Sequence, residues 1–327
     1  MNLYPLKFHP IFKEKLWGGS KLRDLLHKDC GNIPHCGESW EISGVDGNVS
    51  VVSNGPLEGR SLKDLIREYK GALLGDSVYK AFGNDFPLLI KFIDANDDLS
   101  IQVHPDDDLA LKRHNSKGKT EMWYIMQADT NSTLISGFNR STNRDEYLEF
   151  LKRGKLTELL NVEKVSKGDV YYLPAGRVHT IGKGLLLAEI QQTSDVTYRI
   201  YDFDRIDKNG NKRYLQTEEA LDALDFQFHS DYKTSYDHPH NSNDRIIQGD
   251  YFETAIHHIS HVNNLELNDH TFAILIAVEG SSKLSCGEES MVFDKGQTIL
   301  IPACIQNITI ESNSPEGITF LETHIPQ

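Results

Sequence analysis

The sequence predicts a mainly β protein, with two β domains and small helical insertions, from three observations. Apolar segments of five to eight residues recur between turn residues, one twelve-residue motif occurs twice, and a polar stretch without periodicity separates the two halves. Repeated short strands without long intervening helices are typical of all-β sandwiches and barrels. The length of 327 residues also exceeds that of a common single domain and favours two domains.

Charge and composition exclude several classes of partner. The chain has 34 Lys and Arg residues against 48 Asp and Glu residues, a formal net charge of −14. Because nucleic acids and anionic membranes are bound through clusters of Lys and Arg, neither is expected as a partner. No apolar run approaches the roughly 18–20 residues of a membrane span, and none suits a signal peptide. Four cysteines without a CxxC pair favour a reduced, cytoplasmic protein.

Seven strands are predicted in the first part of the chain, each an apolar run bounded by turn residues. They cover residues 87–94, 99–104, 121–126, 132–138, 169–174, 184–192 and 196–203. Helical insertions are predicted at about residues 57–82, 140–162 and 216–226. In the first, Leu62, Leu65 and Ile66 recur at helical spacing. In the second, Asn143 and Glu146 form a capping pattern.

A polar stretch between about residues 228 and 245 marks a linker. Strand patterns resume after it, at residues 251–259, 272–278, 297–302 and 318–324. We therefore predict a first domain at residues 1–235, which contains the helical insertions, and a second β domain at residues 236–327.

The two halves share one motif. Its first copy begins at Gly168 and runs through five residues, Pro-Ala-Gly and two further residues to His179. The second copy begins at Gly296 with the same spacing, but it has Cys304 in place of the last glycine and ends in Asn307. This internal repeat indicates two related β domains that differ at the end of the motif.

The first copy resembles the second conserved motif of the cupin superfamily, in which the histidine that follows a strand and a turn is a metal ligand. The other cupin motif, His-x-His followed by a glutamate, should lie upstream, and Gln102-Val103-His104 with Glu121 occupies that place. The resemblance implies two cupin-like jelly-roll domains. It also implies that the second domain lacks metal ligands, because Asn307 replaces the histidine.

Strand alternation supports a polar site in the first domain. Ser100, Gln102 and His104 share one face of the second predicted strand. Buried polar groups are costly unless they are satisfied, and a metal ion would satisfy them. Gln102 and His104, together with Glu121 and His179, offer two imidazoles, a carboxylate and an amide oxygen, a set that suits Zn²⁺. The alternative is that each is a hydrogen-bonded interior residue, but four such residues in motif register argue against it.

Five segments narrow the resemblance to one family. They are WEISG (40–44), PLLIKFIDANDDLSIQVHPDD (87–107), GKTEMWYI (118–125), LPAGRVHTI (173–181) and EIQQTSDVTYRIYDF (189–203). In these segments the chain resembles type I mannose-6-phosphate isomerases, most closely the short bacterial form. The resemblance implies a zinc-dependent aldose–ketose isomerase that interconverts mannose 6-phosphate and fructose 6-phosphate. It also implies one Zn²⁺ per chain, with Gln102, His104, Glu121 and His179 as the metal ligands. The catalytic arginine of the family corresponds to Arg199.

The expected chemistry needs further residues. Moving a hydrogen between C1 and C2 of an open-chain sugar through an enediol requires a base, an acid and a group that holds the oxyanion. Lys119 shares the face of Glu121 if this segment is extended, and it is a candidate proton carrier. Arg199 can stabilise the enediolate or bind the phosphate. Asp195, which precedes Arg199 by four residues as in the family, either assists ring opening or orients Arg199 by a salt bridge.

Substrate contacts are assigned with alternatives. Lys91 and Ser100 match family positions implicated in phosphate binding, but Lys91 could instead be an edge lysine whose ammonium extends into solvent. Trp17, which two glycines follow, resembles a residue of a family loop near the pocket mouth; the alternative is a packing anchor.

Two other functions are considered. One is a cupin Fe(II) dioxygenase, since two histidines and a glutamate also form the facial triad of oxygen-activating iron sites. Gln102, Lys119 and Arg199 argue against it, because a fourth ligand and two cations suit an anionic sugar. The other is a non-catalytic sugar-phosphate sensor. The expected partner is a small sugar phosphate, and the expected assembly is a monomer or homodimer. Longer family members carry a large helical domain that this chain is too short to contain.

Overall fold

The computed structural model of the chain describes residues 3–207, 209–236 and 243–327. The strands are β1 (Ile11–Gly19), β2 (Cys36–Ile42), β3 (Leu88–Ala95), β4 (Ile101–Val103), β5 (Glu121–Ala128), β6 (Thr133–Phe138), β7 (Leu160–Lys164), β8 (Val170–Leu173), β9 (His179–Ile181), β10 (Leu185–Gln192), β11 (Tyr198–Tyr201), β12 (Lys233–Thr234), β13 (Asn243–Gln248), β14 (Glu253–Ile259), β15 (Val262–Glu266), β16 (Ala273–Cys286), β17 (Glu289–Asp294), β18 (Thr298–Ile301), β19 (Asn307–Ser312) and β20 (Ile318–His324). The helices are α1 (Lys21–Asp24), α2 (Leu62–Tyr69), α3 (Gly71–Leu74), α4 (Asp76–Phe82), α5 (Asp107–His114), α6 (Arg144–Lys152) and α7 (Thr217–Ala223). The protein is mainly β, as predicted.

Strands β1–β12 form two antiparallel sheets, which together are called the N-terminal barrel. One sheet has the order β1-β2-β3-β10-β5-β8-β12, and the other has the order β11-β4-β9-β6-β7. Side chains of both sheets, including Ile93, Trp123 and Ile181, meet in one buried cluster. The two sheets therefore face each other and enclose an interior.

Strand β3 is buried on both faces because its residues alternate between two cores. Leu88, Ile90 and Phe92 lie in a core that includes side chains of the C-terminal half of the chain, whereas Lys91 and Ile93 face the interior of the N-terminal barrel. Strands β5 and β10 alternate in the same way. Burial on both faces explains why these strands are nearly continuous apolar runs in the sequence.

Helices cover the outer face of the five-stranded sheet. Phe138 of β6 shares a buried cluster with Tyr147 of α6 and Ala220 of α7. Helix α6 begins after Asn143, whose Oδ1 accepts hydrogen bonds from the backbone N–H groups of Asp145 and Glu146. The cap predicted from the sequence is therefore confirmed.

Strands β13–β20 form one eight-stranded sheet, called the C-terminal barrel. Its path is β13-β14-β20-β16-β19-β15, and β17 and β18 also pair with β16. The 14-residue strand β16 pairs with β18 and β20 in its first half and with β17 and β19 in its second half. Ile274 and Ile276 pack in the core shared with the N-terminal barrel, whereas Leu275 and Ala277 fill the C-terminal interior. The two barrels are thus joined by a common apolar layer.

All eleven predicted strand segments coincide with strands, and each predicted insertion contains helix. The second insertion ends earlier than predicted, because β7 begins at Leu160. Several elements were outside the expected strands and helices: α1, α5, β1, β2, β9, β12, β13, β15, β17 and β19. Helix α5 buries only Ala110, so it has no apolar stripe in the sequence, although Asp106 caps its first turn.

The predicted boundary between residues 235 and 236 adjoins residues 237–242, which lie outside the described residues. Strand β12 pairs with β8 of the N-terminal barrel, and β13 pairs with β14 of the C-terminal barrel. The exact boundary stays a prediction. In the described ranges, no helix combines the length and the apolar composition needed to span a membrane.

Candidate active site

Two histidines and a glutamate meet inside the N-terminal barrel. The ligand atoms of His104, Glu121 and His179 all lie within 4.8 Å of one another, and the three side chains are almost fully buried. His104 Nε2 is 3.5 Å from Glu121 Oε2, and His179 Nε2 is 3.3 Å from Glu121 Oε1. Gln102 Nε2 lies 3.2 Å from His179 Nε2. The structure therefore brings together the four residues that were predicted as metal ligands.

Strand pairing and backbone carbonyls orient the two imidazoles. Gln102 on β4 pairs directly with His179, the first residue of β9. His104 Nδ1 lies 3.0 Å from the carbonyl oxygen of Val196, and His179 Nδ1 lies 2.8 Å from that of Arg177. Because a carbonyl oxygen only accepts, each Nδ1 donates its proton and each Nε2 keeps its lone pair for a ligand.

Burial controls the protonation of this cluster. Burial, reinforced by the charge of Lys119, lowers the pKa of His104 well below its usual value. Burial also lowers the pKa of His179 to about 4. Both imidazoles are therefore neutral at pH 7, which is the form that binds metals. Burial raises the pKa of Glu121 to about 7 against the opposing effect of Lys119, so the nearby ammonium does not fully compensate for the lost solvation of the carboxylate.

The carboxylate of Glu121 also lacks regular hydrogen bonds. Both its oxygens are buried, and neither accepts a hydrogen bond of good geometry from the described part of the chain, although Lys119 Nζ is 3.0 Å from Oε2. Such a buried carboxylate is costly. A divalent cation would satisfy it, and Gln102 would supply its amide oxygen after a half-turn of the amide group. The residues therefore fit a metal ion with nitrogen and oxygen ligands, such as Zn²⁺.

Lys119 lies between this cluster and an open cavity. Its Nζ is 3.1 Å from His104 Nε2 and 3.0 Å from Glu121 Oε2, and its side chain lines the cavity. The expectation that Lys119 shares the face of Glu121 is confirmed. Its amino group is therefore placed where it can reach both a bound metal's ligands and a molecule in the cavity.

A buried ion pair forms another wall of the cavity. Lys91 Nζ is 2.8 Å from Glu189 Oε1 and 2.6 Å from Gln191 Oε1. Burial opposes both charges, but their attraction prevails: it raises the pKa of Lys91 and lowers the pKa of Glu189 to about 2. Lys91 is 6% exposed on β3, which lies between β2 and β10, so the alternative of an edge lysine in solvent is wrong.

Arg199 and Ser100 lie together on the cavity wall. Arg199 Nε donates to Ser100 Oγ at 3.2 Å, and Arg199 Nη1 donates to the carbonyl oxygen of Tyr214 at 3.3 Å. Asp195 also lines the cavity, but it is exposed. Among the described residues, no ion pair joins it to Arg199, so the alternative role of orienting Arg199 by a salt bridge has no support.

Trp17 has both of the positions that were considered for it. It is buried in the cluster that contains Ile93 and Leu99, and its side chain also lines the cavity. A Cβ at Gly37 would lie 2.7 Å from the Trp17 ring, so the neighbouring strand must carry glycine there. Trp17 is therefore a packing residue that also shapes the cavity wall.

The cavity has further polar residues that the sequence did not single out. They are Lys15, Glu38, Trp40, Glu189 and Arg213. Glu189 had a usable signal, because an acidic residue inside an otherwise apolar strand needs a buried partner, and Lys91 has the same property. Lys15 and Arg213 had no such signal, since both lie in polar segments where charged residues are common.

The fold and the polar cluster define a cupin protein with a candidate metal site in its N-terminal barrel. Residues 5–131 match the family model of the phosphomannose isomerase type I catalytic domain, and residues 243–315 match that of the mannose-6-phosphate isomerase cupin domain. The chain is 35% identical to mannose-6-phosphate isomerase ManA of Bacillus subtilis, over 95% of this chain and 97% of that protein. It is 42% identical to mannose-6-phosphate isomerase of Streptococcus mutans, over 67% of each protein.

The structural comparison agrees. The crystal structure of mannose 6-phosphate isomerase from Bacillus subtilis matches with a TM-score of 0.88 and 34% identity, covering 98% of this chain and 99% of that chain. The chain belongs to the type I phosphomannose isomerase family. The family, the enzyme class and the fold class expected from the sequence are therefore confirmed.

Proposed function

We propose that the chain is a zinc-dependent aldose–ketose isomerase that interconverts D-mannose 6-phosphate and D-fructose 6-phosphate through an enediol. The observation that carries the proposal is the buried cluster of His104, Glu121 and His179, with Lys119 on its cavity side, in a chain of this family. The cluster supplies metal ligands, and the cavity supplies cations for an anionic substrate.

His104, Glu121, His179 and Gln102 are the proposed metal ligands. When bound, a zinc ion supplies Lewis acidity that polarises an oxygen of the substrate. The neutral imidazoles and the carboxylate suit this ion. The ligands hold their positions through their own contacts, since the carbonyl groups of Val196 and Arg177 fix the two rings.

Lys119 is the proposed proton carrier between C1 and C2. Its Nζ is buried and lines the cavity, so it can reach a bound sugar without competition from bulk water. Arg199 is the proposed stabiliser of the enediolate, because its guanidinium remains charged and has no carboxylate within ion-pair distance in the described part of the chain. In this proposal Lys119 transfers the proton and Arg199 stabilises the negative charge.

The remaining proposed substrate contacts line the same cavity. Ser100 is hydrogen-bonded to Arg199 and is proposed to contact the phosphate. Lys91 is proposed as a second phosphate contact, although its charge is already paired with Glu189. Asp195 is exposed and is proposed to assist ring opening, and Trp17 is proposed to contact the sugar.

A coupled assay for fructose 6-phosphate from mannose 6-phosphate tests the proposal. We expect turnover that a chelator abolishes and added Zn²⁺ restores, with close to one equivalent of metal in the purified protein. Binding of the sugar phosphate without turnover would identify a sensor, and oxygen consumption dependent on Fe²⁺ would identify a dioxygenase. His104→Ala should lose the metal. His257→Ala removes a buried histidine of the C-terminal barrel and should keep it.

A cytoplasmic location and a monomeric or homodimeric state complete the proposal. Cys30, Cys36, Cys286 and Cys304 are all free thiols, which suits a reducing compartment. Light scattering of the purified protein would determine the oligomeric state directly.

A further inference from the structure

Two arginines, Arg205 and Arg213, bind one aspartate, Asp202, beside the cavity. Arg205 Nη2 donates to Asp202 Oδ1 at 2.5 Å, and Arg213 Nε donates to Asp202 Oδ2 at 2.6 Å. Arg213 Nη2 also bonds to Asp202, so its guanidinium is held by two parallel hydrogen bonds. Asp202 is 5% exposed. The arginine orientation is therefore fixed by a buried carboxylate rather than left to solvent.

Arg213 is also held close to Arg199. Arg199 Nη1 donates to the carbonyl oxygen of Tyr214, the residue that follows Arg213, and Gln216 Oε1 accepts from the backbone N–H of Arg199. Burial, together with the charge of Arg213, lowers the pKa of Arg199. Both arginines line the same cavity. The segment from Arg213 to Gln216 thus places a second guanidinium beside the first.

The charges of this corner are not balanced. Asp202 is the one carboxylate within ion-pair distance of Arg213 in the described residues, and it is shared with Arg205. Arg205 is itself 3.9 Å from Asp97, and its Nη1 bonds to the carbonyl oxygen of Asp98 instead of facing the cavity, so its charge is also compensated by Asp97. Arg199 has no carboxylate partner in the same described ranges. An excess of positive charge at this corner of a protein with net charge −14 attracts an anion.

Lys91 and Arg213 both line the cavity but differ in how many of their hydrogen-bond donors are already used. Lys91 gives its hydrogen bonds to Glu189 and Gln191, so a phosphate would have to compete with a buried ion pair. Arg213 has used only Nε and Nη2 toward Asp202, and a guanidinium carries five N–H donors. Arg213 therefore keeps donors for a phosphate while its position is already fixed.

We propose that Arg213 is a substrate-binding residue that holds the phosphate dianion of the sugar phosphate next to Arg199, and that Asp202 positions it. This inference rests on the proposed function for the identity of the substrate. The recognition itself needs only a phosphate dianion, since two adjacent guanidinium groups match phosphate oxygens by charge-assisted hydrogen bonds.

The test compares Arg213→Gln and Arg213→Lys with Lys212→Gln as the matched control. Lys212 is the preceding residue, also positive, but it is exposed and pairs with Asp204 away from the cavity. For Arg213→Gln we expect KM for mannose 6-phosphate and the inhibition constant of inorganic phosphate to rise about 10- to 100-fold, with kcat within about threefold. Arg213→Lys should recover part of this loss, and Lys212→Gln should stay within about twofold.

The outcomes separate binding from a structural role. If Arg213→Gln lowers the melting temperature while KM and the phosphate inhibition constant stay unchanged, Arg213 is only the ion-pair partner of Asp202 and the inference is wrong. Unchanged KM at an unchanged melting temperature also overturns it. If the wild-type chain shows no isomerase activity, the proposed function fails, but calorimetry with inorganic phosphate still decides whether Arg213 binds the anion.

Discussion

The two barrels of this chain share a strand-and-turn motif, but their interiors differ in polarity. In both, the motif glycine donates its backbone N–H to a central strand: Gly168 to Ile125 and Gly296 to Ala277, each at 2.8 Å. The N-terminal interior holds charged and polar side chains around a candidate metal site. The described C-terminal interior is mainly a cluster of apolar residues such as Leu275, and the buried His257 beside it is paired with Glu322. The same architecture therefore supports either a site or a packed core.

Strand register identifies where the ligands were replaced. His179 pairs with Gln102, and at the equivalent place Asn307 pairs with Glu266. Glu121 pairs with Leu173. Leu173 and Ile301 hold the same position of the motif, and Ile301 pairs with Ala273. The C-terminal barrel thus has Glu266, Ala273 and Asn307 where the N-terminal barrel has an amide, a carboxylate and an imidazole. Ala273 replaces the buried carboxylate, and Glu266 and Asn307 are exposed to solvent, so no buried ligand cluster forms at these positions.

The largest expected effect comes from the end of the repeated motif. His179→Ala removes one of three close ligands, so we expect loss of the bound metal and a fall in kcat/KM of about 10³-fold or more. Asn307→Ala, at the equivalent position, should leave metal content and activity within about twofold. Metal analysis and the isomerase assay measure both. Equal losses in the two variants would contradict the division between a functional and a structural barrel.

The apolar interior predicts a change in stability without a change in chemistry. Phe293 is fully buried in the C-terminal cluster and packs edge-on against Phe320, with ring centroids 5.7 Å apart. Phe293→Ala should lower the free energy of unfolding by about 3–5 kcal/mol. Denaturant unfolding measures this, and metal content per folded chain should be unchanged. Loss of metal from the folded variant would show that the C-terminal interior supports the site directly.

Arg199, on the cavity wall of the N-terminal barrel, should affect catalysis without affecting stability. Arg199→Lys keeps the charge but loses the planar guanidinium, so turnover should fall by about 10²–10³-fold. The melting temperature should hardly change, because Arg199 forms no ion pair with the described residues. If the activity loss simply follows the folded fraction, Arg199 is a structural residue.

The buried ion pair predicts a dependence of stability on pH. The pKa of Glu189 is lowered to about 2, below the value of about 4.3 for an exposed glutamate. Its contribution to stability is therefore complete above about pH 4.3 and is lost as the pH falls toward about 2.

Urea unfolding between pH 6 and pH 3 would measure this contribution. We compare wild type with the double variant Lys91→Met/Glu189→Gln. As the pH rises, the free energy of unfolding of wild type should increase relative to that of the double variant. Arg153→Met/Glu149→Gln removes an exposed pair as the control and should show a much smaller pH dependence. A pH-independent difference for the buried pair would refute the lowered pKa.

The smallest effect is expected from adding one imidazole to the C-terminal barrel, which should not create a metal site there. Asn307→His returns an imidazole to the position that corresponds to His179. We expect no second metal equivalent, because Ala273 provides no carboxylate there. A second equivalent measured by metal analysis would show that the C-terminal barrel still contains the other ligands.

Much of the fold followed from the sequence alone, because alternation and turn residues act locally. The central strands β3, β5 and β10 were identified by apolar runs, and α6 by its Asn143 cap. Helix α5 was missed because it is mostly exposed and has no apolar stripe. The repeat of Gly168 and Gly296 predicted two related domains, and their shared hydrogen bond to a central strand agrees with it.

The candidate site likewise contains residues that the sequence predicts and residues that only the folded structure identifies. His104, Glu121 and His179 could be predicted because their motif spacing combines with strand alternation, which places polar side chains on a buried face. Lys91 and Glu189 are 98 residues apart, and their partnership depends on β3 pairing with β10. Such a register is a property of the assembled sheet, in which distant strands become neighbours.

Arg213 depended most on tertiary structure. Its neighbours in the sequence are polar, so nothing local distinguishes it from a solvated arginine. Only the folded chain brings it to Asp202 and sets the following residue against Arg199. The sequence by itself determined eleven strand segments and the polar face of the one that became β4, because both follow from local periodicity. The pairing of charges across the cavity was decided by the tertiary structure, because long-range electrostatic contacts leave no periodic pattern along the chain.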